Sequence, residues 1–156
     1  MRKPPQSSEL IWKIASFDQL STAELYAILK LRSEVFVVEQ NCPYLDADGF
    51  DADAVHLWAE KEKDVVAYCR IFGPGIKYKE CSIGRVLTPE RYRRNRYGKM
   101  LMFLALQTIE SRFQTNAVRI SAQDYLSRFY AEFGFRDTGK KYLEDNIPHT
   151  EMLKTS

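Results

Sequence analysis

The sequence predicts an α/β (α+β) fold, a mixed sheet flanked by helices, in one domain over residues 1–156. Three observations predict it. Apolar runs of strand length come before, between and after helical segments, the order expected of a sheet layered against helices. The composition is globular, 45% hydrophobic and 28% charged over 156 residues, enough chain for one domain with a real core. One block, IGRVLTPERYRRNRYGKMLM at 83–102, reads directly as strand, tight cationic loop and helix.

The elements follow in order. Leu10 to Ala15 reads as the first strand. Ser21-Thr22-Ala23-Glu24 is a capping-box pattern. Leu25, Ile28, Leu29, Arg32 and Phe36 then recur at helical spacing, to an end near Val37 or Val38. The Asp-rich stretch EQNCPYLDADGFDADA predicts a long loop, and long ordered loops are often functional. Ala54–Glu60 and Asp64–Phe72 read as strands joined by the charged turn Lys61-Glu62-Lys63. Gly73-Pro74-Gly75 breaks the chain, and Cys81–Thr88 resumes as a strand. Gly98 to about Phe113 is a helix, apolar nearly all round at its start and therefore expected to be buried there. Ala117–Ala122 is a strand after the turn at Asn116. Asp124 is expected to cap a short helix with the stripe Leu126, Phe129, Tyr130 and Phe133, ended by Gly134. A last strand pair is expected around Phe135 and Ile147–Leu153.

Bulk numbers exclude several classes. A net charge of +2 is too small for a general nucleic-acid binder. Cys42, Cys69 and Cys81 are odd in number and far apart, which reads as reduced buried thiols in a cytosolic protein. His56 and His149 are too few for a metal cluster, so no metal is expected. The start MRKPPQSSEL has no apolar segment of a signal peptide. The run MLMFLAL is far short of the ~18 residues of a membrane span. A cytoplasmic location without membrane or nucleic-acid partners is expected.

The chemistry concentrates in the cationic loop. Arg91, Arg93, Arg94, Arg96 and Lys99 place five positive charges in nine residues with no acid among them. Helix starts carry unpaired N–H groups and a partial positive charge, so a cationic loop feeding one is a candidate phosphate site. Taken alone, the loop also reads as a solvated cationic face. Four aspartates, Asp46, Asp48, Asp51 and Asp53, suggest the start of a calcium loop. The twelfth position counted from Asp46 is Leu57 rather than glutamate, so a solvated or substrate-facing acidic loop is the better reading.

These residues resemble the GNAT N-acetyltransferase superfamily. Its cofactor loop runs Arg/Gln-x-x-Gly-x-Gly/Ala between a strand and a helix, and Arg93 to Gly98 matches the first and last positions. Tyr130-Ala131-Glu132-Phe133-Gly134-Phe135 fits the family's Tyr-x-x-x-Gly-Phe. The segment LRSEVFVVEQNCPYLDADGFD and the tripeptide Ile147-Pro148-His149 are similar to the ElaA-like branch, so the resemblance covers nearly all of the chain after residue 10. Arg96 stands where the family usually has its middle glycine, and Arg94 where glycine is also common.

The resemblance implies a mostly antiparallel central sheet and an N-acetyltransferase using acetyl-CoA, with a small-molecule or peptide amine as acceptor. A homodimer is compatible with this reading. It implies cofactor contacts at Val86, Leu87 and Thr88 on the strand, and at Arg93, Arg94, Asn95, Arg96, Tyr97, Gly98 and Lys99 in the loop. Tyr130, on spacing alone a stripe aromatic, becomes the general acid for the leaving thiolate. Glu39 becomes a base or an amine-binding carboxylate. Gln40, Asn41, Tyr44, Asp46, His56 and His149 are the expected acceptor-side residues, although alternation also makes His56 a half-buried strand histidine. An acidic 39–53 stretch would attract a cationic amine. The alternative is a non-catalytic acyl-CoA-binding sensor or interaction module on the same fold.

Overall fold

Continuous apolar strands need cover on both faces, and the central strands receive it. The computed structural model describes residues 9–156; the polar start of the chain, read above as lacking a signal peptide, lies mostly outside them. Strand β1 (Ile11–Ser16) pairs antiparallel with β2 (Val55–Lys61), β2 with β3 (Asp64–Phe72), and β3 with β4 (Ser82–Leu87). Leu57, Ala59, Ala67, Cys69 and Ile71 point to one face of this sheet. They pack there on Leu101, Met102, Ala105 and Ile109 of helix α2 (Tyr97–Phe113). Trp58 and Tyr68 point to the other face and meet Ile28 and Leu31 of helix α1 (Thr22–Arg32).

A second sheet holds β5 (Val118–Gln123), β7 (Ile147–Lys154) and β6 (Arg136–Glu144), in that order and antiparallel. A single parallel bridge, Cys81 to Val118, joins the two sheets, with the Arg119 N–H donating to the Cys81 carbonyl at 2.9 Å. Beyond it β4 and β5 form no further ladder pairs. The antiparallel expectation holds within each sheet; the division into two sheets was not foreseen.

Local chemistry explains most boundaries. The Ser21 hydroxyl accepts from the Glu24 N–H at 3.0 Å, and Glu24 accepts from the Ser21 N–H at 2.9 Å, so the capping box forms. α1 continues as a wider π-helical segment, Ser33–Glu39, which carries Glu39 and Gln40 toward the sheet junction. Two expectations need correction. The start of α2 is not buried all round: Met100 and Phe103 are exposed, because a helix lying on one sheet face covers only one side. Asp124 does not cap helix α3 (Ser127–Ala131) through its side chain; its carboxylate accepts from the Thr150 hydroxyl at 2.6 Å, while residues 124–126 form a 3-10 turn. Gly134 has φ +92°, the left-handed conformation expected there. All three cysteines are free and buried.

Candidate active site

Where β4 and β5 part, a cleft of about 900 Å³ opens. All of 82–88 line it from one side, and Ile120, Ser121 and Gln123 from the other. β4 is irregular here. Between the pairs Tyr68–Leu87 and Arg70–Gly84, β3 advances two residues and β4 three, so β4 carries a bulge. Arg85 within it has φ 50°, a left-handed value for a residue with a Cβ.

At one end of the cleft lies the cationic loop. Three of its five charges are paired: Arg91 with Asp64 at 3.8 Å, Arg93 with Glu39 at 2.7 Å and Lys99 with Glu132 at 3.2 Å. Arg94 and Arg96 have no carboxylate partner among the described residues. These two also stand at positive φ, 72° and 62°. The loop therefore does adopt the conformation for which the family uses glycine, at a cost of about 1–2 kcal/mol per residue with a Cβ. Arg96 is the N-cap of α2 and makes no side-chain cap, so the N–H groups of the first turn are not satisfied by it. Asn95 is directed back to the Tyr92 carbonyl at 3.0 Å, and Tyr97 packs against the core. Gly98 and Arg93 line the cleft, and Arg93 Nε donates to the Thr88 carbonyl at 2.9 Å.

Tyr130 enters the cleft wall from the core side, edge-on to Phe129 and Phe135. Burial pushes its hydroxyl well above the usual phenol range, so it stays protonated. Glu39 lines the cleft, yet its carboxylate holds Arg93. Gln40 faces Gln123, each amide 3.3 Å from the other, and Tyr44 donates to Asp46 at 3.0 Å; both line the cleft. Asn41, at φ 49°, closes the π-helical segment with its N–H on the Val38 carbonyl. His149 lines the cleft at its far side.

Two expected substrate contacts are overturned. Asp46 is 6% exposed and accepts from Arg32 Nε at 2.8 Å and Arg85 Nε at 2.9 Å. His56 is fully buried: Nδ1 lies 2.7 Å from the Tyr68 hydroxyl and Nε2 2.9 Å from the Asp51 carbonyl. That carbonyl only accepts, so Nε2 carries the hydrogen and Nδ1 accepts from Tyr68. Burial lowers the His56 pKa, partly offset by the Asp51 carbonyl, which suits a neutral ring.

The acidic loop is not a solvated surface. Asp51 takes Arg32 at 2.6 Å and Arg70 at 3.0 Å, and Asp48 takes Arg70 at 2.6 Å. Burial pushes the Asp48 carboxyl up, but Arg70, the Phe50 N–H and Arg85 pull it further down, to well below the usual range. Three arginines thus cancel the charge that was expected to attract an amine. Among the described residues no group of three or more His, Cys, Asp or Glu gathers to hold a metal, and no helix is long and apolar enough to cross a membrane.

The sequence reading missed Tyr78, Arg85, Ser121, Gln123 and Glu144, all cleft-lining. Strand alternation offered a signal for Ser121 and Gln123, since β5 buries Val118, Ile120 and Ala122 and turns the intervening residues to the other face. Nothing local marked the others.

An acetyltransferase (GNAT) domain model matches residues 31–156, and the chain belongs to that family. Among curated relatives, Protein ElaA of Escherichia coli is 40% identical over 145 residues, covering 92% of this chain and 95% of that one. A UPF0039 protein of Synechocystis is 39% identical over 146 residues, covering 93% and 95%. Among solved structures, an acyl-CoA N-acyltransferase from Pseudomonas aeruginosa superposes with a TM-score of 0.87 at 39% identity, covering 93% of this chain and 99% of that one. Escherichia coli ElaA superposes with a TM-score of 0.84 at 40% identity, covering 92% and 99%.

Proposed function

We propose that the protein moves an acetyl group from acetyl-CoA to a primary amine by direct attack in a ternary complex. One observation carries the reading. One cleft runs past an uncapped helix start, arginines with no carboxylate partner among the described residues, a bulged strand edge and a buried tyrosine. The cosubstrate supplies the activated thioester; the chain's residues bind, orient and move protons.

Backbone N–H groups of 94–99 would receive the diphosphate, with the Arg94 and Arg96 guanidiniums on outer phosphate oxygens. Asn95, Tyr97 and Lys99 would shape the loop around it. Val86, Leu87 and Thr88 would offer the open edge of β4 to the pantetheine arm. The bulge would leave an N–H near Val86 or Leu87 for the thioester carbonyl, where negative charge develops. Tyr130 would protonate the departing thiolate; its burial favours the protonated phenol that this role requires. Gln40 and Tyr44 would border the acceptor amine, a small molecule or a peptide, and Asn41, which is not among the cleft-lining residues, would turn the chain behind them. Glu39 would orient Arg93 at the cleft mouth rather than meet the amine, because its carboxylate is already engaged.

The test is free-thiol release from acetyl-CoA across a panel of amines. Release that depends on an amine supports the transferase. Tight acetyl-CoA binding without release for any amine would leave the non-catalytic module instead.

A further inference from the structure

An amine must be neutral to attack a thioester, and it must shed a proton as the amide forms. Three ionisable groups on or near the cleft are unsuited to taking that proton. Glu39 is tied to Arg93, Asp48 to Arg70, and His56 is enclosed with both nitrogens engaged. On the acceptor side of the cleft one dyad remains, His149 with Glu144.

Its geometry fixes its protons. His149 Nδ1 lies 2.7 Å from the Ile147 carbonyl, which only accepts, so Nδ1 bears a hydrogen. Nε2 lies 3.2 Å from Glu144 Oε2. That is an ion-pair distance, and the two groups carry opposite charges only once the ring is protonated. A neutral ring therefore presents the Nε2 lone pair, and a proton gained at Nε2 is met at once by the Glu144 charge. The His149 side chain is 9% exposed and stacks on Tyr142, so its orientation is held; Glu144 is 54% exposed.

The dyad also sits on the correct side. His149 pairs with Gln123 and Tyr142, so it shares the face of Ser121 and Gln123. Tyr130 packs with Ile120 and Ala122 on the opposite face of β5. Acid and base thus approach the cleft from opposite faces of the splayed sheet.

We infer that His149 is the general base, its Nε2 taking the proton from the acceptor nitrogen, with Glu144 as its positioning residue. This rests on the transferase reading above. The nitrogen lone pair forms the N–C bond as the C–S bond breaks. The nitrogen's proton passes to His149, and Tyr130 gives its proton to the thiolate. Solvent then returns a proton to Tyr130 and takes one from His149, leaving an amide and a thiol. Tyr142 stacks on the ring and Glu144 lies at its Nε2, while Ser121 and Gln123 on β5 and Asp145 in the turn line the same cleft. Tyr78 and Lys77 reach the same cleft from the 73–81 connection, and Gln40 and Cys42 from the opposite wall. Burial and the nearby Tyr142, Glu151 and Glu144 push the Tyr78 hydroxyl up to about 12, so it does not compete as a base near neutrality.

The experiment is the pH profile of kcat/KM for wild type, His149→Ala and Glu144→Gln with one active amine, beside acetyl-CoA affinity for each. His149→Ala should lose on the order of 10²–10⁴-fold. It should also lose the ascending limb assigned to an imidazole, and regain rate when imidazole is added. Glu144→Gln, at an exposed side chain, should lower kcat by about tenfold with KM little changed, since the imidazolium formed during transfer loses its counter-charge. Unchanged cofactor affinity should accompany both. A His149→Ala form with wild-type rate, or one that added imidazole does not rescue, or a Glu144→Gln form with wild-type kcat, would overturn the proposal while transfer itself stands. No thiol release from wild type with any amine would bring down the transferase reading and this base together.

Discussion

The molecule holds two arginine clusters with opposite fates. Arg32 and Arg70 are 0% and 2% exposed, and with Arg85 they are clasped by Asp46, Asp48 and Asp51. Arg94 and Arg96 stand in an exposed loop, without carboxylates among the described residues, on backbone that favours glycine. The first cluster has every charge answered from within the chain and orders a long loop as one wall of the cleft. The second carries strain and open charge, which suits binding something from outside. Charge density in the sequence does not separate them; only the partners do.

Breaking the closed cluster should have the largest effect. Asp51→Ala leaves Arg32 and Arg70 buried with a shared partner gone. Loss of one member of a buried ionic network costs about 3–5 kcal/mol, so urea denaturation should show a large share of an ordinary domain's roughly 5–15 kcal/mol removed. A change under about 1 kcal/mol would mean that solvent reaches the cluster.

Tyr130→Phe lies outside both clusters and separates holding the cofactor from using it. The ring keeps its place in the aromatic packing, so acetyl-CoA affinity and melting temperature should stay near wild type while kcat falls ~10²–10⁴-fold. Undiminished kcat would reduce Tyr130 to a packing residue.

Arg94→Gly and Arg96→Gly should act in opposite directions on two readouts. Removing a Cβ from left-handed backbone should stabilise the fold by about 1 kcal/mol each. Coenzyme A affinity should fall, with a shallower salt dependence. If neither quantity moves, the loop is no more than a solvated cationic face.

The smallest effect is the response to acid. Asp48 and Asp51 have folded pKa values held down: burial raises them, and arginine contacts lower them further. Their contribution is complete above the unfolded value near ~4 and is lost as pH falls through the folded values. His56, lowered by burial, favours the neutral ring, so its contribution begins to fade earlier, below the unfolded value near ~6.5. Denaturation midpoints should therefore fall in two stages on acidification, and Asp48→Asn should shrink the lower one.

The strands, both long helices and the capping box were legible because periodicity and caps are local. So were the cationic loop and Tyr130, once the motif spacing was set beside the family pattern. The closed cluster was not, because Asp46 pairs with residues 14 and 39 positions away. Signals existed all the same. Arg32 falls on the apolar stripe of α1, and Arg70 lies inside the run VVAYCRIF, both positions where a charge must be answered from elsewhere in the chain. The β4–β5 splay and the π-helical widening left no local trace, since both arise from how elements meet. His149 came into view only as an acceptor-side residue, because its partner Glu144 sits across a hairpin turn.

The most direct measurement is calorimetric titration of the wild-type protein with coenzyme A and with adenosine, at low and high ionic strength, repeated with Arg96→Ala. Coenzyme A should bind far more tightly than adenosine and weaken as salt rises, and Arg96→Ala should bind it more weakly with a shallower salt dependence. Equal affinities for the two compounds, or coenzyme A binding indifferent to salt and to Arg96, would contradict a diphosphate site in the open cluster.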